Sequence, residues 1–278
     1  MTTFMRTVIQ VSDLHFGTIL DETLAPLLLC IRKLRPDVTV VSGDLTQRAK
    51  ERQFREARAF IDQLPEPRLV VPGNHDVPLY DIVRRFAAPL ARYTKFISSD
   101  LAPTYIDEEI AVVAINTARS FVVKGGHISD QQVAMATREF GRLTNGQARI
   151  VATHHPFDIP LGLSGVAIVR GAASAMQAFA VSQVDLFMAG HLHLVHFAST
   201  SRFVPSYNAP IVGAGTATST RARGEPNSFF EYRIERRLIT AIVHTWQSDR
   251  GEFTVTSEHE FARQSQAMFV DGEPYAHP

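Results

Sequence analysis

Five apolar runs in this chain end in short polar blocks, and that coupling limits the fold more than any other feature. The runs are Thr7–Val11, Val38–Val41, Leu69–Val71, Arg149–Ala152 and Asp185–Met188. The blocks that follow them are Asp13-Leu14-His15, Gly43-Asp44, Gly73-Asn74-His75-Asp76, His154-His155-Pro156 and Gly190-His191-Leu192-His193. Short apolar runs rich in β-branched residues read as strands buried on both faces. Strand ends along one edge of a sheet converge in space. The pattern therefore predicts one place where several imidazoles, two carboxylates and an amide oxygen meet. Such a donor set exceeds what one ion takes and suits two ions side by side.

The segments between the runs support an α/β arrangement. Glu22–Leu34 spaces Leu24, Leu27, Leu28, Ile31 and Leu34 as a helix that Pro36 stops, and Glu51–Leu64 presents Phe54, Ala57, Phe60, Ile61 and Leu64 on one face. Leu79–Ser99 reads as helical but broken by Pro89, and Thr104–Asp107 and Ile110–Ile115 as paired strands around Glu108-Glu109. A helix opens at Ser129 with Gln132 as its capping-box partner, and Ala172–Val181 is a second, Ala-rich one. Beyond the fifth block, Phe229–Ile234, Ile239–Trp246 and Glu252–His259 predict an antiparallel meander that forms a second sheet edge. No repeat or linker interrupts the chain, so one domain is expected over residues 1–260, with 261–278 as a C-terminal tail.

Charge and cysteine content narrow the classes of partner. Lys+Arg and Asp+Glu both number 28, so no global field draws nucleic acid or anionic membrane. The single cysteine, Cys30, lies on an apolar helical face and excludes a disulfide framework. No run approaches the ~20 apolar residues that span a bilayer. The first strand begins almost at the N-terminus, which predicts no removable leader and a cytoplasmic protein.

Carboxylate and amide oxygens mixed with imidazoles, without thiolate, favour Mn, Fe, Zn or Co over Ca²⁺. Asp13-x-His15 and His191-x-His193 each set two donors on the same side of an extended strand end. Gly73 and Gly190 suggest tight turns, with positive φ available to them. Asp44, alone at a strand end, is the natural bridge, because a carboxylate has two oxygens to share. Two ions ~3.5–4 Å apart clamp a phosphoryl group and acidify a bridging water toward pKa ~7, giving a hydroxide that can attack phosphorus in line. Six of the eleven histidines lie within the five blocks, which concentrates this chemistry there. His155 could support the site or simply pack. Arg48, His127 and His196 could contact substrate, and surface or loop positions are the alternative for each.

Taken in order, the blocks resemble those of the calcineurin-like metallophosphoesterase superfamily, over residues 7 to 215 and with no block substituted. The Gly73-Asn74-His75-Asp76, His154-His155-Pro156 and Gly190-His191-Leu192-His193 segments are closest in style to bacterial class III cyclic-nucleotide phosphodiesterases and glycerophosphodiesterases. The resemblance implies a four-layer αββα sandwich, two mixed β-sheets flanked by helices. It implies one metal held by Asp13, His15, His193 and bridging Asp44, and a second held by Asp44, Asn74, His154 and His191. His75 would stand over the phosphate as a hydrogen-bond or proton donor, and Asp76 would fix its turn. The implied activity is hydrolysis of a small organic phosphodiester, with phosphomonoesterase or nuclease as the enzymatic alternative and a metal-free scaffold as the non-enzymatic one. No stable nucleic-acid partner or membrane is expected, and the meander and tail could supply a homodimer edge.

Overall fold

The computed structural model describes residues 5–121, 125–144, 146–160, 162–163, 165–221 and 223–264. Parts of the loops at 122–124 and 156–170 and the tail beyond 264 thus lie outside the described residues.

Two six-stranded sheets lie face to face. The first runs β12-β11-β10-β1-β2-β3, with β1 (Met5–Val11), β2 (Val38–Ser42) and β3 (Arg68–Val71) parallel and β10 (Ser228–Glu235), β11 (Leu238–Gln247) and β12 (Glu252–Ala262) antiparallel. The second runs β4-β5-β6-β7-β9-β8, from β4 (Thr104–Ile106) through β5 (Ile110–Ile115), β6 (Ala148–Thr153), β7 (Leu186–Ala189) and β9 (Pro210–Gly213) to β8 (His196–Ser199). Period-two alternation sorts the side chains. Val8, Val38, Val40, Ile110, Val112, Ile150 and Met188 pack between the sheets. Ile9, Val11 and Val41 face α1 (Asp21–Leu34) and α2 (Glu51–Ile61), while Val113, Val151 and Phe187 face α5 (Asp130–Gly141) and α6 (Ala172–Val181). Short α3 (Ile82–Ala87) and α4 (Ala91–Phe96) flank Pro89, as its ring predicts. The result is the four-layer αββα sandwich.

One expectation is corrected: the five motif-bearing strands do not share one sheet, since β1, β2 and β3 lie in the first and β6 and β7 in the second. The meander does form a sheet edge, that of the first sheet: β10 pairs antiparallel with β1, Met5 opposite Glu235 through Gln10 opposite Phe230, and β12 is the last strand. Apolar patterning shows that a segment is a strand without naming its neighbour.

The sheet also continues past residue 260. Leu238 pairs with Ala262, and Arg263 is buried against the Asp185 carboxylate at 3.5 Å while donating to the carbonyls of Glu235, Arg236 and Gly146. Arg263→Ala is expected to cost about 3 kcal/mol, because it leaves a buried carboxylate without its cation. That corresponds to a melting point lower by roughly 6–10 °C. A variant melting with the parent would mean that the end of β12 contributes nothing to the domain.

Candidate metal centre

The five blocks meet at one seam, where the C-terminal ends of the parallel strands in both sheets face each other. Asp13 and His15 follow β1, Asp44 follows β2, and Asn74, His75 and Asp76 follow β3; His154 follows β6, and His191 and His193 follow β7. Two donor groups form there. Asp13, His15, Asp44 and His193 have donor atoms within 4.8 Å of one another, as do His154, His155 and His191.

The backbone earns this convergence at a conformational cost. Asp13, His15, Asp44, His191 and His193 all have positive φ, between 51° and 74°. That region is disfavoured for L residues, and single residues held there mark constrained functional turns. Left-handed turns, not strand alternation, therefore aim these pairs: Asp13 and His15 go to the same donor group, whereas His191 and His193 go to different ones. Gly73 and Gly190 are needed for space: Gly73 has φ −102°, and a Cβ there would lie 2.1 Å from Asp44 Oδ1; a Cβ at Gly190 would lie 1.9 Å from Ser12 Oγ. Gly43 is the positive-φ glycine, at +91°, and a Cβ there would meet the His154 ring at 2.6 Å.

Hydrogen bonds set the tautomers. Nδ1–H of His154 donates to the Ser42 carbonyl at 2.8 Å, and that of His193 to the Arg221 carbonyl at 2.9 Å. A carbonyl can only accept, so Nδ1 of each ring carries a proton and Nε2 is the nitrogen each ring turns to the centre. His15 Nε2 and His193 Nε2 lie 2.9 Å apart. Two nitrogens at ~2.1 Å from one ion, at right angles, would be ~3 Å apart. Asp44 turns its two oxygens to different groups: Oδ2 is 3.6 Å from His15 Nε2, and Oδ1 is 3.4 Å from His154 Nε2. Asn74 Oδ1 is 3.2 Å from His154 Nε2.

Buried charge gives the test of fit. Asp13 is fully buried; its Oδ2 accepts from Ser12 Oγ and His191 N–H, while Oδ1 lies 3.1 Å from His193 Nε2 and has no hydrogen-bond partner among the described residues. Burial disfavours charge on Asp13 and Asp44, yet the facing imidazoles outweigh it and hold both carboxylates below the usual range. Against its own burial, Asp44 pushes His154 up to about 9. Burial and the neighbouring His154 pull His191 down to about 3. The positive charge that His154 supplies beside Asp44 is the charge a metal ion would supply, and the donor set fits one.

The remaining candidates take distinct places. His75 Nδ1–H donates to the Gln47 carbonyl at 2.9 Å, leaving Nε2 toward the cavity, 4.0 Å from Asp44 Oδ2. Asp76 is buried behind the site. It accepts from Gly73 N–H, Leu45 N–H, and the N–H and hydroxyl of Thr46, tying the β2 and β3 loops together. Burial and the Asp44 carboxylate push it up to about 7, and an ion at Asp44 would relieve that repulsion. His155 is buried beside His191, ring centroids 4.9 Å apart, with Nδ1 at 2.8 Å from Thr117 Oγ1. His196 bonds Asp158 at 2.8 Å, and His127 N–H bonds the Thr117 carbonyl; neither lines the metal-facing cavity. Arg221 and Arg85 line cavities at the centre, although no motif pointed to them.

The profile of the calcineurin-like phosphoesterase family matches residues 6–195. A probable cyclic nucleotide phosphodiesterase from Synechococcus is 20% identical over 200 residues, 67% of this chain and 72% of that one. A glycerophosphodiester phosphodiesterase from Enterobacter lignolyticus is 43% identical over 42 residues, 15% of each chain. Purple acid phosphatase from yellow lupin superposes with a TM-score of 0.72 at 11% identity, covering 99% of this chain and 57% of that one. That last likeness is one of fold.

Proposed function

The chain belongs to the calcineurin-like phosphoesterase family, and on that premise we propose that this metal-dependent phosphoester hydrolase acts on small organic phosphodiesters at a centre of two first-row metal ions. One observation carries the reading: Asp44 directs one oxygen at each donor group, 3.6 and 3.4 Å from the nearest imidazole nitrogens. Asp13, His15, His193 and Asp44 would hold one ion, and Asp44, Asn74, His154 and His191 the other. When bound, the ions supply an activated water and neutralise the phosphoryl oxygens.

The protein's own groups do the rest. Ser12 and the His191 amide orient Asp13, leaving Oδ1 aimed inward. The Ser42 and Arg221 carbonyls fix His154 and His193 with Nε2 inward. His75 stands over the cavity with Nε2 ready to meet a phosphoryl oxygen or the leaving alkoxide, and Asp76 holds the turn that carries it. The two relatives described as diesterases support the diester preference. A single cysteine and balanced charge support a cytoplasmic, small-molecule role.

The test pairs metal content by mass spectrometry with hydrolysis of bis-p-nitrophenyl phosphate and p-nitrophenyl phosphate, before and after chelation. The expected result is about two ions per chain and diester cleavage that chelation abolishes and Mn²⁺ or Co²⁺ restores. Cleavage of the monoester alone would overturn the diester reading. Absence of metal and turnover after reconstitution would overturn the whole.

A further inference from the structure

A second cavity of about 200 Å³ adjoins the metal-facing one and shares Asn74, His75 and Arg221 with it. Three arginines from distant parts of the chain line it: Arg48 after β2, Arg85 on α3, and Arg221 in the loop before β10. Arg85 is only 6% exposed, and the one hydrogen bond of its side chain among the described residues runs from Nη1 to the Pro78 carbonyl at 3.0 Å. Arg221 Nη1 donates to Gln47 Oε1 at 3.2 Å and lies 3.3 Å from His75 Nε2, both groups of the site itself and neither a carboxylate. Arg48 lies over the Tyr80 ring, 5.6 Å from its centroid.

None of the three has a carboxylate within 4.0 Å among the described residues. Elsewhere buried Arg263 faces Asp185, and half-buried Arg6 faces Asp107 at 2.6 Å; part-buried Arg92, Arg119 and Arg149 have no carboxylate so near among the described residues, but none of them lines the cavity beside the metal-facing one. A buried guanidinium without a counter-charge is costly, and its planar fork matches the oxygens of an anion. Besides the arginines the cavity is lined by Gln47, Asn74, His75, Val77 and Leu79, none of which supplies a negative charge.

We infer that the cavity is a subsite for a second phosphate on the substrate. The preferred substrate is a phosphodiester in which one alcohol carries a phosphomonoester, gripped by Arg48, Arg85 and Arg221 while the scissile diester lies beneath His75. This rests on the proposed phosphodiesterase reading and adds the substrate class to it. The monoester stays intact: water adds at the diester phosphorus, one alcohol leaves with a proton, and the bisphosphate product keeps the group that anchored it.

The experiment compares three p-nitrophenyl phosphodiesters of glycerol, whose far hydroxyl is free, phosphorylated or carboxymethylated. Wild-type enzyme is expected to favour the phosphorylated ester at least ~10-fold in kcat/KM, with the carboxylate between, since each extra charge-assisted contact is worth about that factor. Arg85→Met and, as a second and more exposed position, Arg48→Gln are each expected to bring the preference down to within ~2-fold. Calorimetric titration with glycerol 1-phosphate and glycerol 1,3-bisphosphate reads the same discrimination without turnover. Equal kcat/KM for the free and phosphorylated esters in wild type, or a preference that survives both substitutions, overturns the subsite. A carboxylate preferred over phosphate overturns the assignment to phosphate. Loss of all turnover with the bisphosphate still bound more tightly would instead overturn the phosphodiesterase reading and leave the subsite standing.

Discussion

Asp44→Asn is expected to reduce bound metal from about two ions per chain to one or fewer and to lower kcat/KM by ~10³-fold or more. Asparagine is the informative choice because it keeps the size of the side chain and tolerates the left-handed backbone at this position, where φ is 52°. It also keeps a carbonyl oxygen for the His75 N–H, which Asp44 Oδ1 accepts at 2.8 Å. What it removes is the negative charge and one of two oxygens. An NH₂ then faces either the His15 group or the His154 group, and an amide nitrogen cannot hold a cation. With no bridge, the two donor groups compete for what remains. The check is metal analysis alongside turnover, with the melting curve confirming a folded variant. Two ions retained per chain would show that each donor group binds without sharing Asp44.

His75→Ala is expected to separate chemistry from metal binding. Its side chain meets the Gln47 carbonyl, Arg221 and, edge to face, the His15 ring, and its Nε2 lies 4.0 Å from the nearest Asp44 oxygen, farther than His15 or His154. Turnover should fall ~10²–10³-fold, the usual range for a general acid or positioned donor. Both ions should remain. The leaving group decides between the two roles. A proton donor matters most for an alkyl alcohol and least for p-nitrophenol, so unequal losses across that pair identify proton transfer. Equal losses identify a hydrogen bond to the phosphoryl oxygen. Loss of an ion in this variant would make His75 a ligand.

The seven proposed ligands were legible in the sequence because each ends an apolar run, and the position of a polar residue after a buried strand is a local property. The layers were legible for the same reason: alternation along β1, β2 and β6 assigns one set of side chains to the space between the sheets and another to the helices. Pairing was not. The partner of β1 is β10, whose Tyr232 sits opposite Val8, and nothing in either segment names the other. The role of Gly73 and Gly190 was misread because crowding by Asp44 and Ser12 depends on loops that meet only in the folded chain. Arg85 and Arg221 carry no motif at all. Arg85 lies on a six-residue helix whose exposed Ile82, Val83 and Phe86 give no hint that an arginine between them is buried. Arg221 meets Gln47 and His75 across 174 and 146 positions of sequence.

The placement of the donors across the seam ties metal occupancy to the fold as a whole. Each proposed ion takes ligands from both sheets: His193 joins His15 across 178 positions, and His154 joins Asn74 across 80. An ion so held acts as a rivet through two plates, closing loops of the length at which a cross-link removes the most freedom from the unfolded chain. Metal loading is then expected to raise the melting point of the whole two-sheet unit rather than to order one loop.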